Sequence, residues 1–522
     1  MTLTQVLDIV RTDIAQSLVL FSPELALVVT ILLILFVRLF QREGTYLARH
    51  LALLGTVISL GLAAYLFNRT SLSAETPEIF GGMLVVDGFT HFFRMLLAAF
   101  GVFMVWLCAI TAVPSARDAS DFFPLLLGAT LGMMLMTSSI HLLMIFMAVE
   151  MASLPSYGLA GFLKEDRRAG EASLKYVVFG AGASGIMLYG MSLLAGRFGT
   201  AHLPTLAREL AGAVQSTGGF VLDPIVVAGV LLILVGIGFK IAAVPFHFWC
   251  PDVFQGASAE VAGFLSVASK AAALALLARF SLTLAYPLFA ADSTAITGAL
   301  GLTLGLLAAV TATYGNLAAY AQTNLKRLLA FSTIAHAGYM MMPIAAAIGA
   351  QSESLYRPAV DAVLFYLAVY LFMNLGAFGV VALIRNAIGS EDLRDYVGLI
   401  HRNAPLTVAM AVFMLSLTGI PPLAGFVAKF RIFAVLYDTG FLWLLVIGLI
   451  NTVFSLFYYV KVLRVMIVDQ PEVERPGWQL APLAMAFNAV LVLANLAPLA
   501  PGVWPALQAV TQSAVSWLHL PY

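Results

Sequence analysis

Four lysines lie inside apolar runs of this sequence: Lys175, Lys240, Lys270 and Lys429. Glu150, in MIFMAVEMASLPSYGL, is the matching acid. His336, in LLAFSTIAHAGYMM, has Ser332 one turn earlier on the same helical face. An ionisable side chain in such surroundings is costly unless paired, and its default reading is an ion or proton path. Burial favours the neutral amine and a nearby carboxylate favours the ammonium. A lysine held between these influences can gain and lose a proton as its neighbour moves. Glu150 could play that neighbour to Lys240. Lys270 and Lys429 would then extend the series, with His336 and water between them, since a histidine titrates near neutral pH after only a small shift. The plainer alternative makes each charge a packing partner: Glu150 neutralising one lysine, His336 hydrogen-bonding between helices.

Two helix interruptions accompany these charges. Residues 237–256 read IGFKIAAVPFHFWCPDVFQG, and Pro245 and Pro251 break the helix just after Lys240. His247, Trp249 and Asp252 surround the break, and His247 reads either as a proton carrier or as a cap. Residues 417–426 read LTGIPPLAGF, with Pro421 and Pro422 ahead of Lys429. Proline removes a backbone donor and clashes with the preceding turn. At membrane depth, such a break persists only where protein or a water-filled cavity satisfies the freed groups.

The elements that must hold these residues follow from composition. Of 522 residues, 61% are hydrophobic and 10% charged, against roughly 25% charged in a soluble domain. This predicts an all-α polytopic membrane protein of about 14 transmembrane helices. The spans are expected near 18–40, 50–67, 88–113, 122–139, 141–162, 170–194, 224–249, 260–280, 295–320, 328–348, 361–384, 405–437, 441–468 and 480–499. The seventh and twelfth are the broken ones. Breaks at corresponding places in two halves point to a repeat, with the site at the breaks. Spans 4–8 and 9–13 then form two five-helix repeats, inverted because each holds an odd number of spans. The correspondence is imperfect, since Lys240 precedes its break, Lys429 follows its own, and the ninth span has no acid matching Glu150. The expected division is a three-helix segment (1–121), a first repeat (122–280), a second repeat (281–468), and a last helix with a tail lacking a further span (469–522).

Loop charges suggest an orientation. Arg38, Arg117, Lys164, Lys326, Arg327, Arg394 and Arg402 are among the cations of one face, and Arg94, Arg279 and Arg431 among those of the other. The bias is roughly two to one, which makes the first face cytoplasmic and puts both termini outside. Lys326 and Arg327 read as marking that boundary. The start, MTLTQVLDIVRTDIAQ, has no positive region ahead of a short apolar core and reads as uncleaved. Zero net charge offers no basic surface for nucleic acid. Cys108 and Cys250 are too few for a four-ligand zinc or iron–sulfur site, so no metal is expected. No glycine-rich phosphate loop follows a strand pattern.

The series AVEMASLPSYGLAGF, GEASLKYVVFGAGASG, FKIAAVPFHFWCPDVFQGAS, FLSVASKAAALAL, QTNLKRLLAFSTIAHAGYMM, NLGAFG and LTGIPPLAGFVAKF resembles the antiporter-like membrane subunits of respiratory complex I, NADH:quinone oxidoreductase. The likeness runs from Phe122 to Val468. It is most similar to the N-type subunits (chain 2 in mitochondria): VPFHFWCPDV favours that type, Lys429 stands where the M-type typically has glutamate, and the long lateral helix of the L-type is lacking. The resemblance implies a proton-translocating subunit without a redox centre, driven by quinone reduction elsewhere in the complex. On that pattern Glu150 pairs with Lys240, Lys270 is the connecting lysine, and Lys429 lies toward the exit. Lys175 and His336 match polar positions with less defined roles. It further implies no cofactor on this chain, with NADH, FMN, iron–sulfur clusters and quinone in partner subunits. The partners would be other membrane subunits, further antiporter-like ones included, and the setting a bacterial cytoplasmic (inner) membrane. The first three spans and the last match only loosely and receive no roles. Competing readings are a stand-alone multi-subunit cation/proton antiporter, the equivalent subunit of a photosynthetic complex, and a scaffold whose charges only pack helices. Sodium sites need clustered oxygen ligands, and the few acids in these spans favour protons.

Overall fold

An apolar chain in lipid must satisfy every backbone group internally, and helices are the local solution. The computed structural model describes residues 13–40, 46–70, 76–216, 223–290, 294–350, 353–471, 476–500, 502–516 and 518–520. The first twelve residues, read above as part of an uncleaved start, lie outside the described residues. The bundle opens with α1 (Ser22–Arg38), α2 (Leu47–Thr70), α3 (Gly88–Thr111), α4 (Ala119–Ser138), α5 (Leu142–Ala160) and α6 (Arg167–Phe198). A short α7 (Leu203–Ser216) precedes the first broken span, α8 (Pro224–Ile241) and α9 (Trp249–Gly256). Then come α10 (Ala259–Phe264), a π-helical turn (Leu265–Ser269) and α11 (Lys270–Ala290), one continuous span. The second half holds α12 (Thr294–Ala319), α13 (Leu325–Ala350), α14 (Glu353–Ile388), the broken pair α15 (Ala404–Thr418) and α16 (Ala424–Asp438), α17 (Leu442–Ile467), α18 (Pro482–Asn495) and α19 (Val503–Ser516).

The protein is a multi-pass membrane protein. Among the described residues, 11 helices are long and apolar enough to cross a membrane. Helices stand at all fourteen expected places, and three fall short of that length. α1 has 17 residues and meets a preceding helix, Asp13–Leu20, at an 80° bend. The 405–437 span is split into two halves of 15 residues each, and α18 has only 14. Two amphipathic helices stand outside the fourteen expected spans. α7 buries Leu203, Leu206, Ala207, Leu210, Ala211 and Val214, while α19, in the tail, packs on α3 and α14. A two-residue hairpin, Glu78–Ile79 with Leu84–Val85, is the one sheet among the described residues.

The span Ala259–Phe289 and α13 are 100% enclosed, whereas α17 is 33% enclosed and faces outward. The spans that carry Lys270 and His336 are therefore shielded on all sides. Two ion pairs lock the first helices to this centre. Arg279, on α11, meets Asp87 with two bonds of 2.9 Å and also donates to the Thr137 carbonyl. Arg94, on α3, donates to Glu24 of α1 at 2.6 Å. All four side chains are fully buried. Arg94 and Arg279 were counted above with the loop charges of the less basic face. They are interior charges held by acids, so that tally overstated that face. Asp87 caps α3 from outside the span, accepting from the Thr90 amide. Burial raises its affinity for a proton, but the Arg279 guanidinium more than offsets this and holds the carboxyl below its ordinary range.

Candidate functional site

The first break is built by α8, whose isoleucines, leucines and valines carry it through the bundle until Ala242 turns left-handed (φ 61) and ends it. The groups freed there are met by protein. Trp249 donates its indole N–H to the Phe239 carbonyl at 2.9 Å, and the Val244 amide donates to Thr311 at 3.0 Å. Trp249 in turn stacks on Tyr176, 4.4 Å away and nearly parallel. The Val244–Pro245 peptide is cis, and Pro251 lies in the first turn of α9.

Lys240 sits in the last turn of α8 and is 1% exposed. A cation is favoured there by the carbonyl end of the helix dipole. Its ammonium donates to Ser153 Oγ at 3.0 Å. Ser153 lies one turn beyond Glu150 on α5. Glu150 is close enough to act on Lys240 through its charge, yet the two form no direct ion pair, and Glu150 Oε1 has no hydrogen-bond partner. Ser153 in turn donates to the Val149 carbonyl at 2.6 Å. Ser153 was not singled out in the sequence, although its spacing of three from Glu150 puts it on the same face.

Lys270 opens α11 directly after the π-helical turn and is fully buried. Such turns recur at functional sites inside α-helices. Its ammonium reaches Cys250 Sγ at 3.8 Å and lies 5.9 Å from the Phe254 ring. No described carboxylate pairs with it. Tyr176 brings its hydroxyl toward Ser269, next to Lys270, although neither hydroxyl makes a hydrogen bond of good geometry. Tyr176 also packs 6.1 Å from the ring of Phe239, the residue before Lys240. His247 is 2% exposed, packed 4.4 Å from the rings of Phe248 and Tyr314. Its backbone carbonyl, not its ring, accepts from the restarting helix at Cys250.

Beyond Lys270 the interior turns aromatic and hydroxylated. His336 Nδ1 lies 2.6 Å from the Tyr366 hydroxyl, and Nε2 lies 3.1 Å from that of Tyr459. Tyr459 also touches Ser332 at 2.5 Å. Lys270 and Lys429 both act electrostatically on His336. Asn316 extends the network: it donates to Tyr339 at 3.3 Å and to Asn451 at 3.1 Å, and accepts from Tyr458 at 3.0 Å. Lys429 then sits 4.7 Å over the Tyr339 ring.

The second break reverses the arrangement of the first. α15 ends at Thr418, Gly419 turns left-handed (φ 89), the Pro421–Pro422 peptide is cis, and α16 resumes at Ala424. Lys429, 3% exposed, belongs to the resuming half and reaches back 2.9 Å to the Thr418 carbonyl. The Gly425 amide donates to Ser416 Oγ at 3.1 Å. A Cβ on Gly425 would collide with the Ser416 carbonyl, so the two half-helices touch backbone to backbone.

The structure thus brings Glu150, Lys240, Lys270, His336 and Lys429 into one interior row, with His247 beside it. Lys175 stands apart. Its side chain is 38% exposed and ion-paired at 2.8 Å with both Glu171 and Asp252, and Asp252 is shared with Arg327. Lys326, read as a boundary charge, is buried and bonded to Glu391 and the Ala257 carbonyl. Among the described residues, no group of three or more histidine, cysteine, aspartate or glutamate side chains could hold a metal ion.

Residues 139–455 match the family described as NADH:quinone oxidoreductase/Mrp antiporter, TM. The chain belongs to that family. The matched region contains the whole interior row. Across the chain, the NADH-quinone oxidoreductase subunit N of Anaeromyxobacter sp. (strain Fw109-5) is 40% identical over 514 residues, covering 94% of each chain. A subunit N 2 of Sorangium cellulosum (strain So ce56) is 40% identical over 89% of this chain and 91% of its own. The N-type resemblance seen in the motifs therefore extends beyond them. Among solved structures, a chain of respiratory complex I from Thermus thermophilus with bound aureothin superposes with a TM-score of 0.73 at 31% identity, covering 93% of this chain and 99% of that one. A chain of the Mrp complex from Dietzia sp. DQ12-45-1b shares the fold, with a TM-score of 0.78 at 20% identity over 96% and 97%.

Proposed function

We propose that this chain is the N-type proton-translocating subunit of a bacterial NADH:quinone oxidoreductase, a non-redox part of that enzyme. The observation that carries the reading is the interior row from Glu150 through Ser153 and Lys240 to Lys270, His336 and Lys429, spanning two broken helices. Protons pass along it by way of the Tyr176 and Ser269 hydroxyls in the first half and the tyrosine–asparagine network in the second. At an effective dielectric of about 20, a carboxylate–ammonium attraction of about 4 kcal/mol at 4 Å falls to about 2 kcal/mol at 8 Å. A displacement of a few ångströms between Glu150 and Lys240 therefore shifts a proton equilibrium by more than about tenfold.

NADH, FMN, iron–sulfur clusters and quinone belong to partner subunits on this reading, and quinone reduction there sets the charge state at the Glu150 end. The chain lies in the bacterial inner membrane beside other antiporter-like subunits, with both termini outside. The likeness to the Mrp fold keeps a stand-alone cation/proton antiporter as the second reading, and co-purification with flavin and iron–sulfur subunits separates the two. The test is electron transfer and proton uptake followed together by the intact complex in sealed vesicles. Lys240→Ala is expected to abolish pumping while the complex stays assembled. Pumping and electron transfer both equal to wild type would make the row structural.

A further inference from the structure

Glu260 stands outside the interior row. It opens α10, is 0% exposed, and neither carboxylate oxygen has a hydrogen-bond partner. Its nearest cation, Arg385 at the end of α14, stands 3.8 Å away, beyond hydrogen-bond range. Lys326 also acts on Glu260 through its charge, but its ammonium is already committed to Glu391 at 2.9 Å and the Ala257 carbonyl at 2.5 Å. The buried thiol of Cys108, on α3, is close enough to feel the carboxylate's charge. A buried carboxylate that only closed an ion pair would be expected to take bidentate or charge-assisted bonds, as Asp87 does with Arg279. Glu260 takes none, so its lone pairs stay free for a proton.

From Glu260 the same span runs inward to Lys270, ten residues on and about 15 Å along the axis. The interval is polar. Ser266 accepts from Asn374 Nδ2 at 2.7 Å and donates to the Gly263 carbonyl at 2.7 Å, while Asn374 Oδ1 and Ser269 Oγ are unpartnered. All three residues are fully buried. Asn374 lies on α14, which packs against both α10 and the π-helical turn. Buried polar atoms are almost always satisfied. A file of them with spare capacity, ending on a carboxylate at one end and an amine at the other, has the makeup of a proton relay. At the outer end, Arg385 is 20% and Glu391 14% exposed, so the relay starts one residue beneath the surface.

We propose that Glu260 is the carboxylate that loads Lys270 with protons from the face carrying Lys326 and Arg385. A proton from water on that face binds a Glu260 oxygen and gives the carboxylic acid. The O–H bond then breaks and water held along the Ser266, Asn374 and Ser269 groups carries the proton to the neutral Lys270 amine, leaving carboxylate and ammonium. One carboxylate flanked by two cations lacks the clustered oxygen ligands of a hard cation, so the route admits protons and not sodium.

This inference rests on the proton-translocating reading above. The test uses the intact complex in sealed vesicles, comparing Glu260→Gln, Glu260→Asp, Asn374→Leu and Lys270→Ala. Glu260→Gln is expected to slow proton uptake at least tenfold with the complex assembled, and Glu260→Asp to restore most of it. A carboxylic C=O band that appears in the infrared difference spectrum during turnover should vanish in Glu260→Gln, which a purely structural role would not produce. If Glu260→Gln pumps like wild type while Lys270→Ala does not, the loading role is overturned and translocation stands. If Lys270→Ala also pumps like wild type, translocation along this row is itself overturned. Should Glu260→Gln fail to assemble, Asn374→Leu decides: severalfold slower uptake supports the relay, and an unchanged rate overturns it.

Discussion

Lys429 donates to the Thr418 carbonyl at 2.9 Å, closing the gap in a broken helix with its own side chain. A cation at a helix carbonyl end contributes up to about 2 kcal/mol when partly buried. Lys429→Ala removes both that contact and the charge. Proton uptake by sealed vesicles should fall at least tenfold, with a modest loss of thermal stability in detergent. Uptake at the wild-type rate would separate Lys429 from the path.

Ser153 is the hydroxyl that Lys240 meets, one turn from Glu150 on α5. Ser153→Ala removes a hydrogen bond worth about 0.5–1.5 kcal/mol net, so the fold should survive. Proton uptake and coupled electron transfer should drop together, severalfold, while subunit content on a native gel stays unchanged. An unaltered rate would mean that Glu150 and Lys240 communicate without the serine.

Gly425 lets α16 press against the end of α15. Gly425→Ala places a methyl group against the Ser416 carbonyl, and a core overpacked in this way typically loses about 1–3 kcal/mol. The amount of assembled complex recovered from membranes should fall, and Ser416→Gly should not rescue it, because the obstacle is a backbone atom.

Asp87 and Arg279 form a buried pair satisfied on both sides. Asp87→Asn leaves the guanidinium uncompensated and should cost about 3–5 kcal/mol, seen as a lower thermal midpoint. The sign with pH follows from the lowered carboxyl. Its contribution is complete above the ordinary aspartate value of about 3.9 and is lost as pH falls through the lower folded-state value. Wild-type protein should therefore show no Asp87-linked change in midpoint across neutral pH. A midpoint that declines on going from pH 7 to pH 5 in wild type but not in Asp87→Asn would contradict this assignment.

The lysines, Glu150 and both breaks were legible because a charge or a proline in an apolar run violates the local solvent's demands and stands out. The tyrosine network was not: Tyr339, Tyr366 and Tyr459 differ from their phenylalanine neighbours by one oxygen, and only packing tells which hydroxyls converge on His336. Burial near span ends was equally hidden. Glu260, Lys326, Arg94 and Arg279 sit at positions where a charge can reach water, and their enclosure comes from neighbouring helices. Lys175 shows the reverse, an in-span lysine whose helix face looks outward to Glu171 and Asp252. Span lengths misled where α1, α15 and α18 proved short, since hydropathy registers composition and not where a helix stops.

Lys240 rides on the half-helix that leads into its break, and Lys429 on the half that leaves its own. Sliding the leaving half of each broken helix along its axis leaves Lys240 in register with its own last turn. The same slide carries Lys429 off the Thr418 carbonyl. A single axial shift of the two leaving halves would therefore reach only one of the two lysines, as a latch on one leaf of a double door leaves the other leaf fast.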